Sequence, residues 1–118
     1  MKRFLAVYTG SAAASERAGW SSKSPEEVRE LQARGISAWS EWMTTHAQRI
    51  VDSGGPLGTT KRVAAEGIED VTNALTGYVI VQAESHAAAA RLFEQHPHFR
   101  IFPGDSVEVM EILPVPGR

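Results

Sequence analysis

The chain of 118 residues contains no cysteine. That single absence removes disulfides, thiol nucleophiles, zinc–thiolate centres and iron–sulfur ligation together. It is compatible with a reducing compartment, and a cytoplasmic location is expected. Charge of one sign is also missing. The 12 Lys and Arg against 14 Asp and Glu give a formal net charge of −2, with both signs scattered. No basic stripe exists to hold nucleic acid or an anionic membrane surface. No run approaches the ~18 apolar residues that span a bilayer. The start, Met1-Lys2-Arg3-Phe4-Leu5-Ala6-Val7-Tyr8, has a basic head before apolar residues, but that run is too short for a secretory signal. A phosphate-cradling loop is absent: Gly54-Gly55-Pro56 lacks the lysine and the following helix of a P-loop. So is the Gly-x-Ser-x-Gly elbow of serine hydrolases.

What is present fits one soluble domain over residues 1–118. Hydrophobic residues make up 42% and charged residues 22%, ordinary proportions for a globular core of this size. Phe4 to Thr9 predicts a first strand whose two faces are both apolar. Residues 10–23 are rich in Ser, Ala and Gly and read as a loop, with Trp20 expected to tuck back onto the body or onto a partner chain. Ser24-Pro25-Glu26-Glu27 is a helix start: Ser24 and Glu27 can cap each other, and proline fits the first turn. The apolar stripe through Leu31, Gly35 or Ile36, Trp39, Trp42 or Met43, His46 and Ile50 extends this helix to about Asp52, with Ser53-Gly54-Gly55-Pro56 as the stop. Leu57 to Val63 predicts a short edge strand, and 64–76 a hairpin connection with a long tip. Gly77 to Ala83 alternates as the clearest strand. Ser85 caps a second helix that ends before Pro97. Val107 to Leu113 closes the chain as a last strand.

The order is β-α-β-β-α-β. Two split βαβ units give an α+β, ferredoxin-like plait: a four-stranded antiparallel sheet with both helices on one face. The uncovered face is expected to carry Phe4, Tyr8, Tyr78 and Ile80. A face so apolar predicts a partner, most simply a second copy closing over it to form a cavity.

The densest chemistry is His96-Pro97-His98. Proline predicts an extended backbone there, so that the two rings point the same way and can converge. Imidazoles near neutral pKa serve as proton carriers or metal ligands. The structural alternative is that His96 caps the helix C-terminus and His98 packs on the sheet. Glu108 and Glu111 lie on opposite faces of the last strand, so one of them must be covered, and then paired or raised in pKa. Such a carboxylate is a candidate base; the alternative is a pairing with Lys61, Arg62 or a backbone edge. A third-ligand role for either glutamate would make a metal site of the histidine pair. Tyr8, Tyr78 and Gln82 are candidate ligand-lining residues, an aromatic wall suited to a small cyclic molecule. His46 on an apolar stripe reads as a core histidine, and Asp52 as part of a turn; the two do not share a helix face well.

Gly55-Pro56-Leu57-Gly58, Gly77-Tyr78, Ala83-Glu84-Ser85, His96-Pro97-His98, Asp105-Ser106-Val107-Glu108-Val109-Met110-Glu111 and Pro114-Val115-Pro116-Gly117 together resemble the YCII-related (YciI-like) family, in its longer bacterial branch. The resemblance spans nearly the whole chain. It implies two plaits joined by their open sheet faces into a dimeric α/β barrel, with an active site inside each half. Shorter relatives are associated with a His–Asp pair and, in chloroaromatic breakdown, with dehydrohalogenase-type chemistry; others accompany transcription regulators. Those shorter relatives carry their histidine in the first half of the first long helix, where this chain has Ile36 to Trp39. That dyad therefore does not transfer.

The reading with most support is a homodimeric barrel that binds a small aromatic or lactone-like molecule without a cofactor. His96, His98 and one of Glu108 or Glu111 would handle protons, in an isomerisation or an elimination of HX. A non-catalytic ligand-sensing or interaction module is the alternative, and a metal-dependent enzyme a weaker one.

Overall fold

A computed structural model describes residues 1–117. Its elements are β1 (Lys2–Thr9), α1 (Ala12–Ala18), α2 (Pro25–Thr45), β2 (Ile50–Pro56), β3 (Thr60–Ala64), β4 (Gly67–Val71), β5 (Leu75–Ala83), α3 (His86–Arg91), α4 (Pro97–Arg100) and β6 (Ser106–Glu111). The main sheet is four-stranded in the order β2-β5-β1-β6, antiparallel throughout. This is the ferredoxin-like plait expected, with β1 and β5 at its centre. A separate hairpin, β3–β4, is inserted between β2 and β5.

Register decides which residues face the helices. Phe4 pairs with Val81, Ala6 with Val79 and Tyr8 with Gly77 on β5; on β6 their partners are Glu111, Val109 and Val107. Phe4, Ala6, Tyr8, Val79, Val81 and Ala83 form one buried cluster with Trp42 of α2, Ala89 of α3, and Phe93. Phe4 and Tyr8 therefore lie on the helix-covered side, not on the open face where they were expected. Both faces of β1 are apolar, so alternation alone could not choose between them. The open face carries Leu5, Val7, Tyr78, Ile80 and Met110, with Glu108 and Gln82 among them.

The capping box forms as read. The Glu27 N–H donates to Ser24 Oγ at 3.1 Å, and the Ser24 N–H donates to Glu27 Oε1 at 3.0 Å. The helix stops at Thr45 rather than near Asp52. Ile50 has helical spacing but opens β2, and the edge strand is Ile50–Pro56 rather than Leu57 to Val63. Asp52 Oδ1 accepts from the Gly54 N–H at 2.8 Å, and Gly54 takes φ +60 against the Tyr78 carbonyl. The Gly54 turn thus bulges a strand and does not terminate a helix. Lys61 and Arg62 belong to the hairpin, where they pair with Asp70 and Glu69, both at 2.6 Å. Residues 10–23 are not all loop: Ser11 caps α1 by accepting from the Ala14 N–H. Trp20 does return to the body, its ring 6.0 Å from that of Phe102.

Candidate functional site

His96-Pro97 opens a short helix and is not an extended segment. His96 is the N-cap of α4, Pro97 its first residue. Nδ1 of His96 accepts from the His98 backbone N–H at 3.0 Å. An accepting Nδ1 carries the lone pair, so the neutral ring holds its proton on Nε2. That Nε2 lies 3.3 Å from the Tyr8 hydroxyl and donates to it. Tyr8 thereby keeps its own O–H proton for another acceptor. His96 is 0% exposed. Its ring is walled by Trp39 and Trp42, both edge-on at 4.6 and 4.7 Å between centroids. Burial, with the neighbouring His98 and His46 rings adding to it, pushes its pKa down to about 3. His96 is a neutral structural donor, and the expected role as a C-terminal cap is replaced by an N-terminal one.

His98 is 8% exposed. Its Nε2 sits 2.7 Å from the Thr9 carbonyl oxygen, which also accepts from the Asp105 N–H at 2.9 Å. A carbonyl only accepts, so Nε2 bears the hydrogen and the lone pair is left on Nδ1. Among the described residues no hydrogen bond occupies Nδ1, and no fully buried side-chain nitrogen or oxygen lacks a partner, so its lone pair is free and not completely sealed. Burial lowers the His98 pKa; the Thr9 carbonyl and the Asp105 carboxylate oppose that shift. Asp105 is itself held by Arg17 of α1 at 3.3 Å. Gly104 is required beside this ring, because a Cβ there would meet Cε1, Nε2 and the His98 carbonyl.

Tyr8, 4% exposed, joins the two histidines, with ring centroids 5.1 Å from His96 and 5.2 Å from His98. Burial raises its pKa, so the phenol stays protonated and able to donate. Tyr8 and His98 border a cavity of about 550 Å³. Trp39 and Phe102 form its aromatic walls, and Pro56, Thr76 and the 65% exposed Ile36 its rim. Gly35 lets Phe102 lie against α2, since any Cβ there would run into that ring. The cavity lies on the helix side of the sheet and is built by one chain. The expected location, between two copies on the open face, is corrected accordingly.

The structure brings together three of the seven expected site residues: Tyr8, His96 and His98. Tyr78 and Gln82 lie on the opposite sheet face, and the Gln82 amide donates to the Gln48 carbonyl at 2.9 Å. Glu108 faces the same open side, opposite Val7, and is exposed. Glu111 is on the helix side but opposite Phe4, four residues from Tyr8 along β1 and so ~13 Å away. It is only half-buried, and among the described residues neither glutamate is in an ion pair. The forced burial expected of one glutamate is avoided because both sit at the solvent edge of β6. The two histidines are not arranged as a pair of metal ligands. Both nitrogens of His96 and Nε2 of His98 are spent on protein partners, and no cluster of three His, Asp or Glu that could hold an ion exists among the described residues. His46 is half-buried and stacks on Trp42 at 5.0 Å. Trp39 and Phe102 were not foreseen as site walls; Trp39 lies on the stripe that marks α2, and only contact with Tyr8 at 4.9 Å distinguishes it from core.

No family model matches the chain, and no curated protein does. Among solved structures, it is similar to 5-chloro-2-hydroxyhydroquinone dehydrochlorinase (TftG) from Burkholderia phenoliruptrix AC1100, in complex with 2,5-dihydroxybenzoquinone. The TM-score is 0.52 at 15% sequence identity, covering 91% of this chain and 89% of that one. At that identity the shared property is the fold.

Proposed function

We propose that this chain is a small acid/base enzyme that acts without a cofactor on a one-ring oxygenated molecule, by isomerisation or elimination of HX. The observation that carries the reading is the His98 ring, fixed as one tautomer by the Thr9 carbonyl, beside the protonated Tyr8 hydroxyl in an aromatic-walled cavity. The fold shared with a dehydrochlorinase and the resemblance to the YCII-related family both support it.

The two groups have complementary roles. Tyr8 O–H donates to a ring oxygen, backed by the His96 Nε2–H. His98 Nδ1 takes a proton from the carbon beside the oxygenated position. The electron pair moves towards the oxygen held by Tyr8, then returns as halide leaves with its bonding pair. One C–H and one C–X bond break and one C=C bond forms; the imidazolium gives its proton to solvent. In an isomerisation the same proton returns to another carbon. The Thr9 carbonyl and Asp105, which favour the charged ring, stabilise the imidazolium between these steps. Two copies pair through the open face of Leu5, Val7, Tyr78, Ile80 and Met110 into a barrel, each retaining its own cavity.

The test is release of chloride by the purified protein from a cyclic ketone that carries hydrogen on the carbon beside its carbonyl and chlorine on the next. Tyr8→Phe and His98→Gln are each expected to lower the rate 100-fold or more while the circular dichroism stays native. Wild-type rates in both variants would remove these groups from the chemistry. Binding of the ring compound without turnover would favour the sensing role.

A further inference from the structure

Not one of the described residues around the cavity carries a formal charge at neutral pH. Its walls and rim are aromatic, aliphatic, glycine, proline and hydroxyl residues, with Tyr8 and His98 as the only titratable groups. Lys and Arg, which recognise carboxylates and phosphates, are missing from it. The more open hollow on the other side of His98, towards Gly10 and Ser11, has none either. The charged group that acts on His98 is Asp105, whose sign repels an anion, and its partner Arg17 points at that carboxylate. The Thr76 hydroxyl is committed to the Tyr8 carbonyl at 3.0 Å, which leaves the neutral hydroxyls of Tyr8, Ser40 and Ser53 as side-chain O–H donors of the lining. An anion entering here would lose its hydration and meet no compensating cation.

We infer that the cavity selects an uncharged ring, a neutral phenol, quinol, enone or lactone, and rejects rings bearing a carboxylate or phosphate. The inference rests on the proposed ring-binding role and adds to it the substrate class. One acceptor oxygen is recognised by Tyr8, the ring packs against the joined wall of Trp39 and Phe102, whose own rings meet edge-on at 6.0 Å, and charge is excluded by the lining. Both histidines remain neutral at pH 7, burial holding each below its ordinary value, so the protein supplies no cation at working pH.

The experiment titrates the full chain at pH 7.5 with three probes, reading tryptophan fluorescence and calorimetry. Chlorohydroquinone reports whether a ring binds. 4-Hydroxybenzamide and 4-hydroxybenzoate have nearly the same shape and differ in charge. The amide is expected to bind at least 10-fold tighter than the carboxylate. Ile36→Lys, which places a cation on the exposed rim, is expected to narrow that ratio at least threefold at low salt. Carboxylate binding equal to or tighter than amide binding would overturn the charge selection and leave the ring site standing. Failure of all three probes to bind at millimolar concentration would overturn the ring site itself, and this inference with it.

Discussion

The two faces of the sheet are built from neighbouring residues and behave as different materials. On the helix side Phe4, Ala6 and Tyr8 are sealed under α2, α3 and the 93–98 segment, and two imidazoles are buried with them. On the other side Leu5 and Val7 alternate with them on the same strand, yet Met110 remains exposed. The sealed face strips water from polar groups and so sets their protonation. The open face has apolar area, and its polar Gln82 and Glu108 keep contact with solvent, so it has affinity to offer.

That contrast is broken or sharpened by substitution of adjacent positions. Phe4→Ala removes a fully buried ring and is expected to cost about 3–5 kcal/mol in denaturant unfolding. A cost below 1 kcal/mol would mean that the sealed face is not the core. Acid is the next largest effect. His96 is neutral in the fold with its pKa near 3, and ionises at its ordinary 6.5 when unfolded. Below pH 6.5 the unfolded chain binds the extra proton. The stability is therefore complete above pH 6.5 and is lost as pH falls towards 3, with a slope approaching ~1.4 kcal/mol per pH unit. His98 is shifted in the same direction and steepens the loss. His96→Gln should flatten the slope by about one proton; an unchanged slope would place the titration elsewhere.

Met110→Glu acts on the open face. Folding stability of the dilute chain should change by less than about 1 kcal/mol, while sedimentation shifts from dimer to monomer. A monomeric wild-type protein at micromolar concentration would leave that face without a partner. The smallest effect is expected of Glu108→Gln: less than a twofold change in rate and under about 0.5 kcal/mol in stability, because the side chain is exposed on the face away from the cavity.

Local rules carried most of the architecture. The Ser24–Glu27 box, the Ser85 cap and the alternation of β5 are written in short stretches, and each forms where it was read. The helix after Ser85 stops at Arg91, short of the end expected at Pro97, which opens α4 instead. The errors fall where two local signals compete. Ile50 satisfies the helical stripe of α2, but His46 leaves the helix with φ −106, and the following residues pair with β5. His96-Pro97 looks extended from the proline, yet the Nδ1 bond to the His98 N–H makes it a cap. The site itself was half legible. Tyr8, His96 and His98 could be singled out by residue type, but their partners could not. Phe102 reaches Gly35 across 67 residues of sequence, and the Thr9 carbonyl reaches His98 across 89. Neither contact has a local signature, and the side of the sheet that Tyr8 takes is fixed by the pairing of β1 with β5 and β6 and by packing under α2.

The anchoring of His98 to a main-chain oxygen has a mechanical consequence. A ring tethered through Nε2 to the strand backbone can gain and lose a proton at Nδ1 without swivelling, because the bond that orients it is the same in both charge states. No side-chain replacement at Thr9 deletes that tether. The orientation of the proton acceptor is inherited from the path of β1 and outlives drift in the residues around it.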